Sequence, residues 1–287
     1  MTSGKTADSA NSALPRLIVH IGVTRTGSTA LQGFFDSNRT LLPAFGLGYP
    51  RALDAAGRPA AHHGGLVAAL RHQLTNAAPH PVLGAPEAYL DGLLSGVRGR
   101  RTTVLSAEGL AEMGAPAATL IAGLQARFDV TVILYLRRQD EWALSAYRAA
   151  VVDPEVCEAR SLPAWLEDPA TAARMDYAAM VSVWGDALGD GAIRLLRYPH
   201  ETPLVAKFVA AAGLPQGLLA LPNRRRRLRE SVGDAELEAQ LRANGGPPTV
   251  PNLSMAARDK LFERHRDGNI AVRRRFRPDL ERLFTLV

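Results

Sequence analysis

Leu17-Ile18-Val19-His20-Ile21-Gly22-Val23-Thr24-Arg25-Thr26-Gly27-Ser28-Thr29 is the stretch on which the reading of the fold turns. Leu17 to Ile21 form a β-branched, mostly apolar run of the kind buried on both faces of a parallel sheet. Gly22 closes the run, and Ala30, Leu31, Phe34 and Phe35 then recur at helical spacing. The unit is strand, glycine-containing turn, helix. Gly22 and Gly27 have the G-x-x-x-x-G spacing of a phosphate-binding loop. In such a loop backbone N–H groups converge on an anion at a helix N-terminus. The bare spacing is common by chance; its place directly after the first strand raises it above a plain structural turn.

The same alternation continues outward. Thr102 to Leu105 reads as a second buried strand ending at Ser106-Ala107-Glu108, and Val130 to Leu136 as the clearest strand, stopping at Arg137-Arg138. An amphipathic helix follows, with Trp142, Ser145, Ala146 and Ala149 along one face. Residues 51–100, rich in Ala, Gly, Pro and His, carry helices predicted over 65–74 and 86–96. A helix over 177–188, a strand over 192–198 and a helix over 203–212 come next. Beyond Pro222 the patterns are helical, over 234–244, 254–266 and 269–284, with Gly245-Gly246-Pro247-Pro248 as a loop. Strands alternating with helices predict an α/β protein. The expectation is a three-layer P-loop-like fold with a mostly parallel central sheet and a helical C-terminal part. Residues 1–14, small and polar, read as a disordered leader, and 15–287 as one domain.

The net charge of +6 favours anionic ligands. No aromatic-interleaved basic stripe accompanies it, so nucleic acid is not an expected partner. Cys157 is the only cysteine, which excludes an intrachain disulfide. With no disulfide framework and no apolar signal segment, a reducing cytoplasm is the expected compartment. No apolar run approaches the roughly 20 residues of a membrane span. No His/Cys/Asp cluster has ligand spacing, so no metal is expected; His62-His63 comes nearest, and adjacent histidines rarely ligate one ion. Nothing in the sequence specifies an oligomeric state.

The loop's side chains bear on which anion it would take. A nucleotide triphosphatase or kinase would place Lys after the second glycine to reach the β- and γ-phosphates. Here Ser28 and Thr29 follow Gly27, and the loop's cation is Arg25. A basic residue followed by Thr26-Gly27-Ser28-Thr29 resembles the 5′-phosphosulfate loop of the sulfotransferase family. His20-Ile21-Gly22, Leu31-Gln32, Asn38-Arg39 and Gly48-Tyr49-Pro50 are similar to its bacterial branch. The family carries a second signature, an Arg at a later strand end and a Ser eight residues on, which hold a 3′-phosphate. Arg137 ends the strongest strand and Ser145 lies eight residues later, two turns along the next helix. The similarity extends through Asp176-Tyr177, Trp184, Gly189, Phe208 and the 269–284 segment, and thins after 222.

The resemblance implies 3′-phosphoadenosine 5′-phosphosulfate as co-substrate, without a metal. It implies Thr24, Arg25, Thr26, Gly27, Ser28 and Thr29 around the 5′-phosphate and sulfate, with Arg137 and Ser145 on the 3′-phosphate. Arg25 stands where the family has its catalytic lysine. An arginine supplies a permanent charge but does not readily donate a proton. The resemblance to the bacterial branch implies a carbohydrate, glycolipid or secondary metabolite as the small-molecule or glycan acceptor. Its hydroxyl needs a base, for which Glu108 is the first candidate, at a strand end where open α/β sheets put ligands. Capping the next helix or pairing with an arginine is the alternative role for Glu108. His62 and His63 are the second candidates, against ordinary loop positions. Arg224 to Arg229 and Arg273 to Arg277 either contact anions or are solvated faces. Two rival readings stay open: a P-loop small-molecule or nucleotide kinase with Mg²⁺ on Glu108 or Asp140, and an inactive nucleotide-binding protein of the same fold.

Overall fold

A computed structural model describes residues 14–198, 203–223, 233–247 and 249–285. The strands are β1 (Arg16–His20), β2 (Leu47–Gly48), β3 (Ala52–Leu53), β4 (Pro59–Ala60), β5 (Thr102–Ser106), β6 (Asp129–Leu136) and β7 (Ile193–Arg197). Five of them form one parallel sheet in the order β2-β5-β1-β6-β7, and β3 with β4 makes a small antiparallel hairpin. The loop-bearing strand β1 is therefore central, with β5 and β6 on either side.

The helices are α1 (Ser28–Ser37), α2 (Gly64–Asn76), α3 (Pro86–Ser95), α4 (Gly114–Ala122), α5 (Gln139–Val152) and α6 (Leu162–Leu166). They continue as α7 (Pro169–Met175), α8 (Tyr177–Leu188), α9 (Leu204–Ala211), α10 (Asp234–Ala243), α11 (Met255–Arg264) and α12 (Arg266–Phe276). Alternate strand residues feed two cores, as a pleat of period two requires. Ile18, Ile133 and Tyr135 pack with Leu31, Phe34 and Phe35 of α1 and Phe208 of α9. Leu17, Val19, Val132 and Leu134 pack on the other face with Leu66 of α2, Ile121 of α4, Trp142 of α5 and Trp184 of α8. Both faces of β1 are dry, so its apolar run carries no polar alternation. The result is the expected three-layer α/β architecture with a parallel central sheet.

The C-terminal helices differ from expectation. The helix predicted over 254–266 ends at Arg264, and α12 begins at Arg266, with His265 out of helical geometry between them (φ −102, ψ 4). The helix predicted over 269–284 stops at Phe276, with Arg277 at φ −140, ψ 55. Pro278 explains the stop, because its ring disfavours helical geometry in the residue before it. Helices α6 and α7 were not expected; each opens on a side-chain cap, Ser161 or Asp168, followed by a proline in its first turn. Residues 1–13 of the leader and the Arg224 to Arg229 run lie outside the described residues. No helix among the described residues is long and apolar enough to cross a membrane.

Candidate functional site

The carboxyl edge of the sheet builds a site around the loop that leaves β1. The chain after β5 runs beside that loop, with hydrogen bonds from Ala107 N to His20 O (2.9 Å), Gly109 N to Gly22 O (2.8 Å) and Ala111 N to Ile21 O (3.2 Å). This continuation brings Glu108 and Glu112 against the loop. Gly27 sits in the left-handed region at φ +83, and a Cβ there would stand 2.7 Å from Leu204 Cδ1. Gly22 is needed for closeness rather than conformation: its Cβ would lie 2.5 Å from Ser28 Oγ. Arg25 also has positive φ, 67°, which strains a residue with a Cβ. Such strain is held where neighbours over-determine the backbone.

Those neighbours are visible. Glu112 Oε1 accepts from both Thr24 N (3.3 Å) and Thr24 Oγ1 (3.0 Å). Arg174 Nη2 donates to Thr24 Oγ1 at 2.6 Å, and Arg174 pairs with Glu112 at 3.1 Å. The Trp142 indole N–H donates to Thr24 O at 3.0 Å. Thr26 Oγ1 donates to Val23 O at 2.6 Å. The hydroxyls of Thr24 and Thr26, expected to face a ligand, are thus committed to shaping the loop. Ser28 is different. Its hydroxyl is buried with no partner among the described residues, as is Gln32 Nε2 one turn along α1. An unmet buried hydroxyl is costly, which makes Ser28 Oγ a candidate donor to a bound oxygen. Thr29 is exposed at the helix start.

The second predicted half of the site arrives at the same loop. Arg137 Nη1 donates to Arg25 O at 3.4 Å, and its guanidinium lies 5.0 Å from the centre of the Tyr198 ring. Tyr177 OH donates to Arg137 O at 2.7 Å, fixing the strand end. Arg25 Nε donates to Ser145 Oγ at 3.0 Å. Arg25, Arg137 and Ser145 therefore share one mouth. Glu108 Oε1, half-buried, accepts from Arg25 N at 3.4 Å.

The histidines separate. His62 is half-buried, and its Nδ1 accepts from Gly64 N at 3.0 Å at the start of α2. Burial lowers its pKa, with Asp54 partly opposing. His63 is fully buried; Nδ1 accepts from Ser106 N at 2.9 Å and Nε2 donates to Pro50 O at 3.2 Å. Burial holds its pKa down at about 4. With both nitrogens committed to backbone, His63 acts as a strut between β5 and the Pro50 segment rather than as an open base.

No family model and no curated protein matches the chain. Among solved structures it is similar to a sulfotransferase from Alicyclobacillus acidocaldarius, with a TM-score of 0.50 and 16% identity, covering 91% of this chain and 95% of that one. The fold is sulfotransferase-like. An apo GTPase from Pyrococcus abyssi overlaps less, with a TM-score of 0.30, 12% identity, and coverage of 69% of this chain and 97% of that one.

Within this sulfotransferase-like fold, several other charged groups singled out in the sequence are held in ion pairs. Asp140 is buried and held by Arg138 (2.6 and 3.0 Å) and by Arg258, so it is not an open seat for Mg²⁺. Its carboxyl is held below the ordinary range by these arginines, against a desolvation that pushes the other way. Among the described residues no three His, Cys, Asp or Glu side chains group as a metal site. In the Arg273 to Arg277 run, Arg275 meets Asp186 and Asp190, Arg277 meets Asp279, and Arg273 donates to Leu280 O. Asp190 precedes β7, at the sheet edge opposite the loop, which removes Arg275 from the anion site. Sequence reasoning missed Glu112, Arg174 and the indole of Trp142 as loop anchors. The cap-and-proline pair Asp168-Pro169 announces the helix that carries Arg174, but not what Arg174 meets.

Proposed function

We propose that this chain is a transferase that moves a sulfuryl group from 3′-phosphoadenosine 5′-phosphosulfate to a hydroxyl of a carbohydrate, glycolipid or secondary metabolite. The observation that carries the reading is the meeting at one loop of Arg25 with Arg137 and Ser145, which lie 112 and 120 residues further along the chain. Two guanidinium groups and a hydroxyl at one mouth suit a ligand with two separated phosphates. The unmet Ser28 hydroxyl supports an anion oxygen at the floor. The absence of a lysine after Gly27 and the neutralised Asp140 argue against a Mg²⁺-dependent kinase.

In this reading the backbone of Thr26 to Thr29, with the Ser28 and Thr29 hydroxyls, holds the 5′-phosphosulfate, while Arg137 and Ser145 hold the 3′-phosphate. When bound, the co-substrate supplies an electrophilic sulfur and a phosphate leaving group. Arg25 stabilises negative charge at the loop without giving up a proton. Glu108, beside the Arg25 amide, takes the proton of the acceptor hydroxyl. His62 is the second candidate for that proton, since burial favours its neutral, proton-accepting form. The reading requires no metal.

Calorimetry with adenosine 3′,5′-bisphosphate against ATP, each with and without Mg²⁺, tests it. The bisphosphate should bind without Mg²⁺ and lose affinity in Arg137→Ala. Transfer to an acceptor should fall sharply in Arg25→Ala and survive in Arg25→Lys. Mg²⁺-dependent preference for ATP would restore the kinase reading. Bisphosphate binding with no transfer to any acceptor would favour an inactive protein of the same fold.

A further inference from the structure

His20 is a buried polar group that the proposed chemistry leaves unused. It ends β1 directly beneath the loop and has no exposed surface. Its ring meets Tyr135 and Phe208 edge-on, with centroids 6.0 Å from each. Nδ1 lies 2.8 Å from Ser106 Oγ at the end of β5. The Ser106 amide is in turn fixed by His63, at 2.9 Å. His20 Nε2, like Ser28 Oγ, has no partner among the described residues. These two atoms flank the same point above Gly22: a Cβ placed there would stand 2.5 Å from Ser28 Oγ and 3.2 Å from His20 Nε2. Two unmet buried groups beside one another are costly unless a binding event completes both.

We propose that His20 is a positioning residue for Ser28: when an anion occupies the loop, His20 Nε2–H donates to Ser28 Oγ and commits the Ser28 proton to the anion. The proposal requires the Ser106 hydroxyl, 2.8 Å away, to donate to Nδ1, which leaves the ring proton on Nε2. Burial keeps the ring neutral, with a pKa lowered to about 3, so it donates without placing a second charge under the loop. The inference rests on the reading of this loop as a phosphate site, and His20 touches no ligand itself.

A mutant cycle tests it. His20→Asn keeps an amide near the Nδ1 position for Ser106 and deletes the Nε2 donor; His20→Gln can return a donor to the Nε2 position. Binding of adenosine 3′,5′-bisphosphate is measured by calorimetry, with inorganic pyrophosphate and Mg²⁺–ATP in parallel. His20→Asn and Ser28→Ala should each weaken binding about tenfold, the double variant should be no weaker than either, and His20→Gln should stay within about threefold of the parent. Additive losses, about a hundredfold in the double variant, or a His20→Gln as weak as His20→Asn, would overturn the proposal. Nitrogen NMR of the parent's histidines covers the case of a variant that does not fold. A proton on Nε2 whose resonance moves on anion binding supports the relay, and a proton on Nδ1 overturns it. Binding of pyrophosphate or Mg²⁺–ATP but not the bisphosphate would sink the sulfuryl-transfer reading, yet the cycle run with the anion that binds still decides His20. Binding of none of them overturns both.

Discussion

Lowering the pH from about 7.5 to about 5 should strip this protein of stability through two rings in the floor of the site. His20 and His63 have no exposed surface, and burial holds their pKa values at about 3 and about 4, against an ordinary 6.5. Above pH 6.5 neither the folded nor the unfolded chain protonates them, and they contribute no pH dependence. Below it the unfolded chain takes up two protons that the folded chain refuses. Stability then falls by about 1.4 kcal/mol per pH unit for each ring. At pH 5 the loss is about 2 kcal/mol per ring and about 4 kcal/mol for both, a large share of the usual 5–15 kcal/mol. The slope flattens only as the pH passes through the folded values. His62 and His265, half-buried and also shifted down by burial, add in the same direction.

The carboxylates that pairing depresses, such as Asp140 and Glu158, lose their contribution only at lower pH, so the interval between 6.5 and 5 belongs to the histidines. Urea unfolding followed by the fluorescence of the buried Trp142 and Trp184 measures it at each pH. The parent should lose about 4 kcal/mol or somewhat more across that interval. His63→Asn should lose about half as much, even though its stability at neutral pH is lower, because the slope counts titrating rings and not contacts. A flat profile between pH 6.5 and 5, or equal slopes in parent and variant, would refute the argument that these rings are folded neutral.

Two further substitutions test the loop. Glu112→Ala removes the acceptor of both Thr24 donors and the partner of Arg174. With hydrogen bonds to a charged group on a partly exposed side chain, it should cost about 2 kcal/mol locally. Faster exchange of the Thr24 amide and about tenfold weaker bisphosphate binding should follow, with Glu112→Gln between the two. Gly27→Ala forces a Cβ into the left-handed region and against Leu204 Cδ1. It should cost about 1–2 kcal/mol in urea unfolding and abolish anion binding, because the amides that open α1 can no longer converge.

What the sequence shows and hides at this site follows from how far each contact reaches. Leu17 to Ile21 and Val130 to Leu136 were legible as strands because both faces of a central parallel strand are dry, which leaves an unbroken apolar run. The two residues of β2 pair with only two of β5, too few to impose a pattern. Arg137 and Ser145 entered through the resemblance to the family's second signature, and a strand end followed by two helical turns fixes their relation locally. Glu112 and Arg174 were not legible: they lie 62 residues apart, and their shared target, Thr24, lies 88 and 150 residues from them. Their meeting depends on the chain after β5 hugging the loop and on α7 being laid across it, both products of packing. Arg25 joins the two kinds of information. Its charge and place in the loop are local, whereas its positive φ and its bond to Ser145 belong to a backbone held by Glu108 and Arg137 at Arg25 itself and by Glu112, Arg174 and Trp142 at Thr24 beside it. The loop's recognisable residues therefore depend for their geometry on unrecognisable ones, and losing the anchors at 112 or 174 should weaken anion binding about tenfold while leaving the motif intact.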